Sequence, residues 1–312
     1  MTGLRKRSRV WGAAAALTGL AMVLAACGGG DSPDAQPDHT DAPPSQVRPD
    51  DDTPPEPDPS PEETGDGGQD GPDAFEDWLE GLTTGVDAGD SAQAFDMDIP
   101  LAEVTNRPAH VREDGAIVLG VDRTAGGQVN PDAAELAIYL DFMCVMCYNF
   151  EVINWEVLDD MVSAGEVTLA LHPVAILDAG PGSAGTSAST RTSAALVWLA
   201  DQAPEHVLDW YEMVFLLGPH AMTGGLSNES LAAVAELMGV PAGVAAGIAD
   251  GTAVETFGQW VTSATGEAVS NEALRGGHGF GTPTLTINGQ LRLDLDWRIE
   301  GLLRQEVLAA GS

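Results

Sequence analysis

The chain predicts an α/β fold, a central mixed sheet flanked by helices and interrupted by an all-helical insertion. Three observations carry that expectation. Short apolar runs at residues 115–121, 135–142 and 167–176 have strand length, and a helix-patterned stretch separates the second from the third. Residues 188–275 hold helical patterning with no strand between the helices. Two further strand-like runs then flank Asn288-Gly289, and an amphipathic helix closes the chain.

In chain order, Gly115-Ala-Ile-Val-Leu-Gly-Val121 has strand character, and Glu135-Leu-Ala-Ile-Tyr-Leu-Asp-Phe142 is apolar enough for a strand buried on both faces. Phe150, Ile153, Val157, Leu158 and Met161 then recur at helical spacing until Gly165. Val167 to Ile176 is a third strand. Strand, helix, strand implies a right-handed crossover and a parallel pair. In the insertion, Ser189-Thr190-Arg191 opens a helix, and Pro204 starts the next, running to Gly218. Ser227 begins a third, Pro241 a fourth, and residues 252–274 form a fifth. Trp198, Trp210, Tyr211 and Phe215 fall at helical spacing and are expected in the core. Pro283–Ile287 and Leu291–Leu295 around Asn288-Gly289 signal a hairpin. The last helix places Ile299, Leu302, Leu303, Val307 and Leu308 on one face. The folded domain is thus expected over 114–312, after a lead-in at 74–113 whose residues 75–82 suit a short amphipathic helix.

The N-terminus has a different character. Arg5, Lys6, Arg7 and Arg9 precede an apolar stretch from Val10 to Leu24, too short for a comfortable membrane span, and Leu24-Ala25-Ala26-Cys27 is followed by three glycines. This resembles a bacterial lipoprotein signal. The resemblance implies that residues 1–26 are removed, that Cys27 is acylated, and that the body lies outside the cytoplasm on a lipid anchor at the cell membrane. Removal of that segment moves the formal charge from −35 to −39. Residues 28–73 hold 14 acids against Arg48 alone, are rich in Pro, Gly and Asp, and have almost no large apolar side chain. Residues 27–73 are therefore expected to be a disordered acidic tether, with an extended reach of about 140 Å. So acidic a surface repels nucleic acid and anionic lipid headgroups, so neither is expected as a partner.

Only three cysteines occur, and two of them stand as Cys144-Val145-Met146-Cys147 after an apolar run and before a helical pattern. A thiol at a helix N-terminus ionises easily, since free N–H groups and the helix dipole favour the anion. A second thiol one turn on can release a mixed disulfide. By spacing alone the pair also admits a zinc site or a structural disulfide. A zinc site usually needs four ligands, and the histidines are scattered singly. A disulfide here would close too short a loop to stabilise much. No cofactor or metal is expected.

Three local strings carry a family resemblance. Asp141-Phe142-Met143-Cys144 through Phe150, Ser189-Thr190-Arg191, and Gly281-Thr282-Pro283-Thr284-Leu285-Thr286-Ile287-Asn288-Gly289 occur in this order with a helical stretch between them. In that arrangement the chain resembles the DsbA-like branch of the thioredoxin superfamily over about residues 114–310. The resemblance implies a thioredoxin fold and a protein thiol–disulfide oxidoreductase that uses a redox-active Cys144–Cys147 disulfide. Cys144 would be the nucleophile and Cys147 the buried resolving thiol. Thr282 and Pro283 would form an active-site loop with a cis bond, facing the disulfide and pairing with substrate backbone. Partners would be cysteine-containing extracytoplasmic proteins and a membrane redox partner.

Two departures from that family's pattern bear on the chemistry. Val145-Met146 offers no polar side chain to stabilise the reduced form, which predicts a weaker oxidant than the strongest family members. Ile138 stands six residues before Cys144, where many relatives have a buried acid. Asp141 is then the nearest carboxylate, suited either to proton transfer or simply to ending a strand. Met143, Met146, Phe142 and Tyr148 suit an apolar rim for unfolded substrate, with Phe142 equally suited to the core. His172, beside Pro173, suits a strand end, and His278 a solvated loop. These departures keep a second function in view, a DsbA-like peptide-binding module with little or no exchange activity.

Overall fold

A computed structural model of the chain describes residues 95–179, 187–218, 225–299 and 301–311. The signal peptide expected over 1–26, the lipidation site Cys27, the tether and the short helix at 75–82 lie outside the described residues.

The sheet has five strands, β1 (Ile117–Leu119), β2 (Ala134–Leu140), β3 (Val167–Pro173), β4 (Thr284–Ile287) and β5 (Gln290–Leu291), in the spatial order β1-β3-β2-β4-β5. Only β2 and β3 run parallel, with Ala134 opposite Val167 and Leu140 opposite Pro173. The other neighbours are antiparallel. Helix α1 (Val145–Ser163) makes the crossover between the parallel pair and ends at Ala164 and Gly165. β3 is buried along its whole length, as an interior position in a covered sheet demands. The insertion holds α2 (Ala188–Gln202), α3 (Val207–Leu216), α4 (Asn228–Leu237), α5 (Ala242–Ala249) and α6 (Thr252–Ser270), and α7 (Leu302–Ala310) closes the chain. This is a thioredoxin fold with a helical insertion.

One core joins sheet, α1 and insertion. Phe142, just past β2, stacks on Phe215 of α3 at 4.8 Å and meets Trp210 and Tyr211 edge-on. The end of the strand that leads to the cysteines is therefore anchored by the insertion, and the expected core aromatics Trp210, Tyr211 and Phe215 are buried.

Four differences from the sequence expectation have local causes. Packed structure begins by Phe95, upstream of Asp114. Leu101 and Val104 are core residues, and the Leu101 N–H donates to Glu267 at 2.9 Å. A Cβ at Gly266 of α6 would lie 2.0 Å from the Met97 carbonyl oxygen, so that helix admits the lead-in only by lacking a side chain there. On α1 the buried face is Cys147, Phe150, Glu151, Asn154, Trp155, Leu158, Met161 and Val162, while Ile153 is exposed. Two polar residues occupy buried positions because each has a partner, Asn154 donating to the Phe150 carbonyl at 2.9 Å and Glu151 accepting from Tyr211. The fifth strand stops at Leu291. Arg292 makes one more bond to Leu285, and its side chain then turns to Glu306 and Asp294, leaving Leu293 exposed. Finally, Ile299 and Leu308 are 53% and 42% exposed, and α7 buries the i, i+4 pair Leu303 and Val307 instead. Ile299 lies in the turn before the helix, and Leu308 is rotated off the stripe.

The hairpin turn is the type with positive φ at both central residues, Asn288 at 50° and Gly289 at 72°. The Asn288 side chain also accepts from the Glu135 N–H and donates to the Ala310 carbonyl, tying the turn to β2 and α7. Space around Gly289 is open, so only conformation restricts it. Gly289→Ala should cost about 1 kcal/mol in urea unfolding. No loss would mean that the turn relaxes freely.

Candidate active site

Asp141 lies just past β2 and organises the cysteine loop. Its backbone carbonyl accepts the Cys144 N–H at 3.0 Å, and its buried carboxylate accepts from the Met143 and Leu177 N–H groups at 2.9 and 3.0 Å and from the Ser189 hydroxyl at 2.7 Å. Burial raises the Asp141 pKa to about 6, against the opposing effect of the Leu177, Ser189 and Met143 bonds. These donors hold both carboxylate oxygens in structural bonds joining β2, the start of the cysteine loop and α2.

Cys144 is the N-cap of α1, in extended conformation, so its side chain lies over the free N–H groups of the first turn. Cys147, one turn on, is fully buried, and both are free thiols. The Cys144 Sγ donates to the Thr282 carbonyl at 3.3 Å. The Thr282–Pro283 peptide bond is cis. β4 begins at the next residue, Thr284, which pairs with Tyr139 of β2. Thus the two cysteines, Thr282 and Pro283 meet at one end of the sheet, brought together by the ends of β2, α1 and β4.

The two thiols are driven apart in acidity. The Cys144 pKa falls to about 5, chiefly through the hydrogen bond from the Cys147 thiol, against burial, with help from Thr282 and the backbone N–H groups of Cys147 and Met146. Burial pushes the Cys147 thiol up, and the charge on Cys144 adds to the effect. The expectation that nothing here stabilises the reduced form rested on the side chains of Val145 and Met146. The donors that do so belong to Cys147, to Thr282 and to the backbone.

The remaining expected residues separate clearly. Val145 and Met146 are 54% and 44% exposed beside Cys144, and Met143 and Tyr148 are half-buried, so these four suit an apolar rim, whereas Phe142 is core. Ile138 is buried in β2. His172 is buried and stacks on Tyr139 at 4.1 Å, with burial lowering its pKa to about 4. His278 lies in an exposed loop. Among the described residues, no group of three or more His, Cys, Asp or Glu is placed to hold a metal ion, and no helix is long and apolar enough to cross a membrane.

Sequence reasoning passed over Glu151. It lies four residues after Cys147 on the buried face of α1 and accepts a hydrogen bond from the Tyr211 hydroxyl of α3. Burial raises its pKa to about 8, against the Tyr211 bond. The signal was the Cys147–Glu151 spacing, which puts both on one helix face.

No protein-family model matches the chain, and no curated protein is significantly similar to it. Solved structures do match in fold. The MdbA protein of Actinomyces oris, described as a thiol-disulfide oxidoreductase, is 23% identical, with 69% of this chain and 94% of that one covered and a TM-score of 0.51. The MdbA protein of Corynebacterium matruchotii, described in the same words, is 16% identical, with 66% and 96% covered and a TM-score of 0.52. With the sheet order, the helical insertion and the cis-proline loop, these likenesses establish that the chain has the DsbA-like thioredoxin fold.

Proposed function

We propose that the protein is an extracytoplasmic thiol–disulfide oxidoreductase that exchanges disulfides with cysteine-containing secreted or envelope proteins. The observation that carries this reading is the asymmetry of the two thiols, with Cys144 partly exposed at the helix N-cap and acidic, and Cys147 buried behind it and kept as a thiol. That division is what exchange requires. In the reducing direction, the Cys144 thiolate attacks a substrate disulfide, forms a mixed disulfide and expels one substrate thiolate. Cys147 then gives up its proton and attacks the Cys144 sulfur. The second substrate thiolate leaves as the Cys144–Cys147 disulfide forms, and two electrons have passed to the substrate. The oxidising direction reverses these steps. Thr282, whose carbonyl faces Cys144, presents backbone beside the reacting sulfur, and the loop with Pro283 would align a substrate peptide strand-to-strand there. The exposed Val145 and Met146 offer apolar contact to an unfolded chain.

The signal-like N-terminus supports lipid anchoring through Cys27, with residues 27–73 as the acidic tether carrying the domain over 114–312 and its packed lead-in. A membrane redox partner would restore the active pair. The test is covalent trapping. Full-length protein carrying Cys147→Ala should accumulate mixed disulfides through Cys144 with envelope proteins, released by dithiothreitol. Absence of adducts, together with a Cys144 that resists alkylation at neutral pH, would replace this reading with that of a peptide-binding module.

A further inference from the structure

Cys144 stands between two parts of the fold. Its sulfur meets the Thr282 carbonyl at 3.3 Å, and Thr282 is carried by the sheet, just ahead of β4. The three residues before Cys144 are fastened to the insertion instead. Asp141 bonds to Ser189 in the first turn of α2, and Phe142 stacks on Phe215 of α3. A Cβ on Gly225, ahead of α4, would lie 2.5 Å from the Ala188 Cβ and 3.4 Å from the Met143 sulfur, so the chain approaches Met143 there only by lacking a side chain.

Asp141 supplies the polar link. Its carboxylate is buried, and one oxygen, Oδ1, accepts from both the Met143 N–H and the Ser189 hydroxyl. That single atom ties the turn before Cys144 to α2. The Asp141 carbonyl accepts the Cys144 N–H, and its backbone also acts on the Cys147 thiol, opposing the rise in that thiol's pKa. The start of α2 is held in turn by Asp178, which accepts from the Ser189 and Thr190 N–H groups at 3.1 and 2.7 Å. Asp178 is also the charged group that faces Asp141. The acidity of Cys144 depends on short-range donors, from Cys147, Thr282 and the first turn of α1. Such bonds weaken steeply with distance and angle, so a cysteine loop free to shift would lose part of them.

We infer that Asp141 and Ser189 form a latch through which the helical insertion positions Cys144 against Thr282 and the first turn of α1. The inference rests on the proposed exchange activity and makes the insertion a working part of that site. Neither side chain touches the reacting sulfur atoms, so both are positioning residues.

Two measurements test this on full-length protein with Cys27→Ser as the background, where Cys144 is the reactive thiol because Cys147 is buried. The first is the pH profile of iodoacetamide alkylation of the reduced protein. Wild type should inflect near pH 5. Ser189→Ala should move the inflection up by about one unit, and Asp141→Asn, which turns an amide N–H toward one of the three donors, should move it at least as far. An effect of charge alone has the opposite sign. A neutral or less ionised Asp141 would lower the Cys144 pKa by removing a nearby negative charge. Ser227→Ala removes the N-cap of α4 in the same insertion, so it reports destabilisation by itself and should leave the inflection in place. An inflection unmoved or lowered in Ser189→Ala and Asp141→Asn overturns the inference. So does a Ser227→Ala shift as large as that of Ser189→Ala.

The second measurement is the equilibrium with glutathione, in which two glutathione thiols reduce the Cys144–Cys147 disulfide and leave as glutathione disulfide. The Cys144 thiolate stabilises the reduced form, so a one-unit rise in its pKa should make that form about ninefold less favoured at pH 7. An equilibrium equal to that of wild type overturns the latch. Both readouts use small reagents. A wild type that turns over no protein substrate fails the exchange reading, while these measurements still decide the latch.

Discussion

Cys144→Ser should abolish exchange and leave the fold intact. The substitution changes one atom at a half-buried N-cap, and serine is a favoured residue there, so helix α1 keeps its start. The chemistry is lost because the hydroxyl stays protonated where the thiol does not. With its pKa near 5, Cys144 is about 99% thiolate at pH 7, against a few per cent for an ordinary thiol near 8.5. The wild-type attack rate should therefore be flat from about pH 6 upward and fall about tenfold per unit below pH 5, as the thiolate is lost. Cys144→Ser should stay at background throughout, a loss of at least about a thousandfold at pH 7. Alkylation with iodoacetamide and turnover of a fluorescent disulfide peptide would follow the two limbs. A Cys144→Ser protein that keeps a tenth of the wild-type turnover would show that Cys147 or another group does the attacking.

Much of this frame is legible in residues with strong local rules. Asn288-Gly289 forces its turn, the apolar run of β2 is a strand needing cover on both faces, and Pro204, Ser227 and Pro241 open or precede insertion helices close to where their chemistry puts them. What periodicity alone missed depends on partners distant in sequence. Ile153 looks as apolar as any residue on α1, yet Glu151 takes the buried position, because Tyr211, sixty residues on, supplies its hydrogen bond. The lead-in shows no pattern because its packing is set by small residues on α6, Gly258 against Phe95 and Gly266 against Met97. At the site, the spacing of the cysteines is visible, and so is the acidity of a thiol at a helix N-terminus, but the share of it that comes from the Cys147 thiol is not. The donors to Cys144 are the other thiol, Thr282 and backbone N–H groups, so the side chains of Val145 and Met146 carry little of that acidity.

The buried acid has a cost that unfolding will reveal. Oxidised protein is the cleanest subject, since neither thiol titrates. An acid whose folded pKa is raised binds its proton more tightly when folded. The resulting stability is complete below the unfolded pKa and is lost as pH rises through the folded one. For Asp141 that window runs from about 4 to about 6, and for Glu151 from about 4.5 to about 8. His172 works the other way. Its folded pKa is lowered to about 4, so stability falls as pH drops below 6.5, which opposes the loss from Asp141 over nearly the same range. Glu212, raised to about 7 by burial, adds a smaller part because solvent screens it. Above pH 6.5 Asp141 is largely ionised in both states, His172 opposes only slightly as its unfolded imidazole loses its last charge, and Glu151 dominates. One proton changes stability by about 1.4 kcal/mol per pH unit, and Glu151 is half ionised by pH 8, so urea unfolding should show a loss of about 1.5 kcal/mol between pH 6.5 and 8. Over its whole window Glu151 alone accounts for about 5 kcal/mol. Glu151→Gln should remove most of that slope, because an amide keeps the shape and the bond to Tyr211 without a charge to bury. If oxidised wild type and Glu151→Gln show the same slope from pH 6.5 to 8, then Glu151 is already ionised when folded, and water reaches it between α1 and α3.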